Sequence, residues 1–321
     1  MKLIRDFEYP PELEADFTKA KRLEWITIFY LLSTIVVMYL TMGNSQAMKT
    51  AWFEDLLSLT PSVSFLIASR IFLKKPNKEF PYGYHRVVSI AYLCSSLALF
   101  AVGGFLIIDS AITLIEQDRP TIGMVTLFGK SFWLGYLMIA ALLYSALPSV
   151  ILGRLKLPLA EKLHEKNLYT DAEMNKADWK TALAAIIGIL GIGLGWWWAD
   201  AVAAALISLD VIHDGYKNLR QAVLDLMDQI PKTVNNQEDD PLMQQVKDYL
   251  LRKKWVREVE VRFREEGHIY VGEGFVVPEP GQADNLTQLI ADTTEQITQI
   301  NWRIHEFTIM PVKELPQNHE E

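Results

Sequence analysis

A single cysteine, Cys94, in 321 residues leaves no intramolecular disulfide to form and no thiolate set for a cysteine-rich zinc module. Positive charge is also scarce. With 31 Lys and Arg against 39 Asp and Glu, the formal net charge is −8, and the basic face that a nucleic-acid backbone demands is missing. No phosphate loop, nucleophile–base arrangement or metalloprotease pattern occurs, so no catalytic residue is assigned and the chain is not read as an enzyme. Charge of either sign is absent from Trp25–Gly43, Val87–Ile108, Ser131–Gly153 and Thr181–Ala199, stretches of 19, 22, 23 and 19 residues. What remains is 50% hydrophobic, too apolar for a disordered chain and too unevenly charged for an ordinary soluble one.

Each of those four stretches is close to the ~20 residues that cross a hydrocarbon core. Two further segments are interrupted: Leu56–Ser69 follows Glu54 and Asp55, and Ala201–Leu209 runs into Asp210, His213 and Asp214. The reading is six transmembrane helices. The first is expected to stay in place rather than be cleaved as a leader, because it follows an acidic, proline-containing stretch, Asp6 to Asp16. Lys and Arg gather before span one, between spans two and three, and between spans four and five, while the alternate loops hold only Lys49, Arg119 and Lys130. That alternation predicts a multi-pass protein of the cell membrane with both termini cytoplasmic.

Beyond Asp214 the pattern changes. Leu242–Leu251 has helical spacing, Val259, Val261 and Phe263 alternate with charged residues, and Ile269–Val277 reads as a second strand closed by Pro278. Gly281–Ile300 follows as an amphipathic helix and Arg303–Met310 as a third strand. The order αββαβ predicts a small cytoplasmic α+β, ferredoxin-like domain with helices on one side of an antiparallel sheet. The predicted organisation is an N-terminal segment 1–22, a six-helix membrane domain 23–228, a linker 229–239, the α+β domain 240–312 and a tail 313–321. So small a core would gain from pairing with a second copy. His268 and His305 are read as surface or strand histidines.

Several local segments resemble the cation diffusion facilitator family of divalent-metal/proton antiporters. Phe80-Pro-Tyr-Gly-Tyr-His-Arg86 is similar to that family's segment before helix three, Asp171 and Asp178 to an aspartate pair around helix five, Ala199-Asp200-Ala201 to the opening of helix six, and Leu224–Asp228 to its end. The resemblance covers roughly residues 20–312. It implies a homodimer in the lipid bilayer that exports a divalent cation in exchange for protons, with no permanently bound cofactor. It also implies a transport site of two i, i+4 pairs, which fall on Glu54 and Ser58 in helix two and Met174 and Asp178 in helix five. Asp55 is the alternate for Glu54 on a one-residue shift, and Asp210 an alternate carboxylate.

This sequence departs from the family's usual carboxylate and imidazole donors at Ser58 and Met174. Lys176 and Lys180 stand close enough in sequence to pair with Asp178. At the family's accessory loop site stand Asn77, Phe80 and Tyr84, which offer no carboxylate or imidazole. The paucity of imidazole and thiolate points to manganese, iron(II) or magnesium over zinc, while Met174 points toward softer ions. The alternative reading is a non-transporting or regulatory relative with a degenerate metal site.

Overall fold

The computed structural model describes residues 7–116, 121–127, 129–281 and 285–315. The expectations for Lys2, Arg5, Arg119 and residues 282–284 and 316–321 lie outside the described residues. The chain divides into two compact units, Ala15–Ser69 with Ile90–Ala222, and Met1–Glu14 with Arg70–Ser89 and Val223–Glu321.

The first unit is helical. Its elements are α1 (Pro11–Thr41), α2 (Gln46–Leu57), α3 (Leu59–Ile71), α4 (Val87–Glu116), a hairpin of β1 (Met124–Leu127) and β2 (Lys130–Trp133), α5 (Leu134–Leu163), α6 (Lys166–Gly193) and α7 (Ala199–Leu226). The end residues of α1, α3, α4 and α7 fall in the other unit. α1, α4 and α5 are long and apolar enough to cross a membrane. They turn large apolar side chains outward, such as Phe29, Leu40, Ile108, Ile115, Leu147 and Ile151, as a helix facing lipid does. α6 and α7, 28 residues each, are long enough, but α6 carries charged residues through its first half and α7 from Asp210 onward as well as at Asp200. α2 and α3 are separate helices of 12 and 13 residues. The β1–β2 hairpin was not foreseen in the sequence.

The break between α2 and α3 has a local cause. Pro61 has no amide hydrogen to return to the preceding turn. The Ser58 N–H instead closes on Glu54 O at 2.9 Å, capping α2. The Asn167 side chain donates to Pro61 O at 2.9 Å, which ties α6 to the start of α3. Where helices cross, glycine lets them close. A Cβ at Gly153 of α5 would lie 2.6 Å from Ala172 O and 2.7 Å from Lys176 N of α6. α4 and α7 approach through Gly103 and Gly215, where an added Cβ would lie 2.8 Å from Ile212 N and 2.6 Å from Phe100 N. Small residues at such crossings replace the hydrophobic drive that lipid does not supply.

The second unit contains α8 (Leu242–Leu251), β3 (Val256–Glu266), β4 (Ile269–Pro278), α9 (Leu286–Ile300) and β5 (Ile304–Pro311), in the expected αββαβ order. Leu242, Val246 and Leu250 of α8 and Ile297 of α9 pack on Val259, Val261, Phe263 and Phe307. The sheet is not wholly antiparallel: β4 is central, antiparallel to β3 and parallel to β5. The reason is α9, which carries the chain back along the sheet so that β5 runs in the same sense as β4. The β3–β4 turn uses Gly267 at φ 74. His268, in that turn, is fully buried rather than at the surface. Phe72 meets it at 4.5 Å between ring centroids, and Phe7 and Tyr9 at 4.9 and 5.4 Å. His305 lies on β5, half-buried, its ring 5.0 Å from that of His85.

Candidate metal centre

Two polar stripes run through otherwise apolar helices. Ser145, Ser149, Gly153 and Lys156 follow one face of α5, and Asp171, Asn175 and Asp178 follow one face of α6. The Gly153 crossing brings those stripes together. At the Ser145 and Asp178 end of the stripes, Glu54 and Asp55 of α2 meet Asp178 around a cavity of about 10 Å³, room for one small ion or water. Ser145, Thr181, Met38, Ala51, Leu142, Ala146 and Ala182 complete its wall.

Hydrogen bonds aim two of the carboxylates. The Ser145 hydroxyl lies 3.0 and 2.8 Å from the two oxygens of Asp55, and Thr181 donates to Glu54 Oε1 at 3.1 Å. Glu54 Oε2 is buried with no hydrogen-bond partner among the described residues. Three carboxylates and two hydroxyls make an all-oxygen donor set suited to hard cations. Among the described residues no three Asp, Glu, His or Cys side chains converge as tightly as a bound ion would draw them. The cavity gathers the donors without closing them into a cage.

The other sequence-predicted positions fall elsewhere. Ser58 is buried, but its hydroxyl donates to Glu54 O at 3.0 Å, within its own helix turn. Met174 lines a different small cavity with Leu57, Pro61, Ser95, Thr170 and Asn218. Asp210 and His213 are exposed on α7, and Asp210 is no part of the cavity wall. Lys176 pairs with Glu173 at 3.1 Å, and Lys180 is exposed beside Trp179, Trp196 and Trp198. Neither lysine pairs with Asp178. In the loop before α4, Asn77 donates to the Tyr84 hydroxyl at 2.9 Å, and the Phe80 ring lies tilted against that of Tyr84, 4.6 Å between centroids.

Sequence reading missed Ser145, Thr181 and Lys156. The four-residue recurrence of Ser145, Ser149 and Gly153 inside a charge-free run was the available signal. Lys156, assigned to a loop, lies inside α5 because that helix continues to Leu163.

Asp200 closes the other end of α2. Its carboxylate accepts from Ser45 Oγ at 2.7 Å and from the backbone N–H groups of Gln46 and Ala47 at 2.5 and 3.3 Å. An acid at a helix N-terminus satisfies amides that the helix itself leaves open. This anchors α2 to α7 and fixes the direction in which Glu54 and Asp55 project.

Residues 24–227 match the family model of the cation efflux transmembrane domain. The chain is 24% identical over 203 residues to the manganese efflux system protein MneS of Bacillus subtilis, covering 63% of this chain and 66% of that protein. It is 23% identical over 256 residues to the manganese efflux system protein MneP of the same organism, covering 76% and 80%. Protein p34 of Rickettsia rickettsii is 24% identical over 208 residues, 63% of each chain. With apolar membrane-length helices, buried carboxylates gathered at a helix crossing and a family model matched over most of its length, the chain belongs to the cation efflux family.

Proposed function

We propose that this protein is a divalent metal cation transporter that moves manganese out of the cytoplasm in exchange for protons. α1, the α2–α3 pair, α4, α5, α6 and α7 then serve as its six membrane passages. Its ion is held by Glu54, Asp55 and Asp178, with Ser145 and Thr181 orienting them. One observation carries the reading: the buried carboxylates Asp55 and Asp178 and the half-buried Glu54, none of them paired to a lysine among the described residues, share one cavity inside apolar helices. Ionisable groups are costly in such a place unless a cation or proton compensates them. The same groups take either a cation or protons, and mutual exclusion couples the two flows. Oxygen donors favour manganese or magnesium over softer ions, and the relatives named for manganese efflux support that choice. The turning of Met174 toward another cavity removes the one soft donor.

The test is proteoliposome flux of manganese, iron(II), zinc and magnesium with an internal pH dye. Wild type should couple manganese flux to opposite proton movement, and Asp178→Ala should abolish both. Silence of wild type with every metal supports the second reading, a non-transporting relative. That reading draws on Ser58 and Met174, both of which are turned away from the cavity.

A further inference from the structure

Two turns along α6 from Asp178 lies a second buried charge cluster. Glu24 of α1, Lys156 of α5 and Asp171 of α6 are 0%, 0% and 1% exposed. The Lys156 ammonium donates to Glu24 Oε2 at 3.2 Å and pairs with Asp171 Oδ2. Two carboxylates share one ammonium, so the trio carries one negative charge in excess when every group is ionised. Burying such an unbalanced charge is expensive.

The two acids are not equivalent. Besides Lys156, Asp171 receives the Asn175 amide on Oδ2 at 3.1 Å and the Ser62 hydroxyl on Oδ1 at 3.2 Å, so both its oxygens are satisfied as a carboxylate. Glu24 accepts on Oε2 from Lys156. Its Oε1 lies 3.1 Å from the ammonium but outside hydrogen-bonding geometry, buried without a partner. The side chains that α3 and the remainder of α6 turn to the trio, Ser62 and Asn175, are uncharged. The next titratable groups along the path are Asp178, Asp55 and Glu54 of the cavity.

A path of polar groups leads there. Asn175 donates to Asp171 and accepts from Ser149 at 3.1 Å, and Asp178 follows Asn175 by three residues on the same face of α6. Asp171 and Asp178, seven residues apart on one face, are separated by about 10 Å of helix at ~1.5 Å per residue.

We propose that Glu24 is a proton-binding site: it holds the proton that neutralises the trio and releases it when a cation enters the Glu54–Asp178 cavity. On release the Glu24 O–H bond breaks, the proton passes to water, and the resulting carboxylate closes on Lys156. The incoming cation supplies the positive charge that the departing proton removes. Asp171 and Lys156 act as positioning residues. The release step rests on the transporter reading above, whereas the resting proton on Glu24 does not.

Infrared spectroscopy of the full-length protein in detergent at neutral pH tests both parts. Without metal, wild type should show a protonated-carboxyl stretch that is absent in Glu24→Gln and returns, shifted in frequency, in Glu24→Asp. Manganese should remove the wild-type band. Proton release per manganese bound, measured by calorimetry in buffers of different ionisation enthalpy, should fall by about one in Glu24→Gln, with manganese affinity kept within a few-fold. A wild-type spectrum without the band, or a band untouched by Glu24→Gln, overturns the proton site whatever the metal does. A band present in wild type that binds no manganese defeats the transporter reading and the coupling with it. A ruined fold in Glu24→Gln leaves Glu24→Asp and wild type to decide by the same band.

Discussion

His85 stands in the turn before α4, 3% exposed, its ring 5.5 Å from that of Phe7 and 5.0 Å from that of His305. Its Nδ1 is buried without a hydrogen-bond partner among the described residues. Burial, reinforced by the neighbouring charge of His305, lowers its pKa from 6.5 to about 4. A base whose folded pKa lies below its unfolded one is favoured neutral in the fold. Its contribution is therefore full above pH 6.5 and is lost as pH falls toward 4. At ~1.4 kcal/mol per unit the loss reaches about 3 kcal/mol. Thermal unfolding of wild type should weaken between pH 7 and pH 4.5 by more than that of His85→Leu; equal pH dependence would show that the ring is not held neutral. Little of this was legible in the sequence. Phe7, Phe72, His85, His268 and His305 are far apart along the chain and share no period, so His268 was read as a surface or strand histidine. The carboxylates were legible, because an acid beside or within an apolar run has few benign explanations.

At the scale of elements, the crossing of α5 and α6 decides how near the two polar stripes can come. Gly153 already faces the backbone of α6 at 2.6 Å from the position a Cβ would take. Gly153→Leu should force the helices apart and destabilise the protein by about 1–3 kcal/mol or more, the cost of overpacking. A lowered melting temperature in detergent checks the packing, and manganese flux that falls further than the melting temperature explains checks the link to the cavity. Unchanged values for both would mean that the helices close elsewhere. Hydropathy located α1, α4 and α5 because those helices spend most of their surface on lipid or core. It misplaced the start of α6, whose first half carries Asp171, Glu173, Lys176 and Asp178, some of them buried and partnered across helices. A window average cannot tell an inward-facing charge from a solvated loop. The division of the second span into α2 and α3 had a visible signal in Pro61, but the pairing of Ser58 with Glu54 O did not.

For the whole molecule, the family reading implies a homodimer, and the second unit offers a surface for one. Glu260, Arg262, Arg264, Val271, Glu273 and Phe275 lie on the face of the sheet opposite the α8–α9 side, lining a concavity of about 750 Å³. Arg262 pairs with Glu273 and lies over Phe275, so charges of both signs and an aromatic ring are presented together. Light scattering of the intact protein in detergent should give twice the 36.6 kDa chain mass after correction for bound detergent, and the double substitution Arg262→Glu, Phe275→Asp should shift it toward one. A monodisperse wild-type monomer would end the dimer reading. The sheet beneath this surface also sets an order of assembly. β3 and β4 pair through a tight turn and can form as soon as they are made, whereas β5 must wait for α9 to return the chain to the far side of β4. Until residues 304–311 emerge from the ribosome, the central strand has an open edge, competent to capture the equivalent strand of another nascent chain. Ribosomes translating one message side by side along a membrane would hold such edges close together, so the rate at which α9 and β5 are synthesised limits the interval for mispairing.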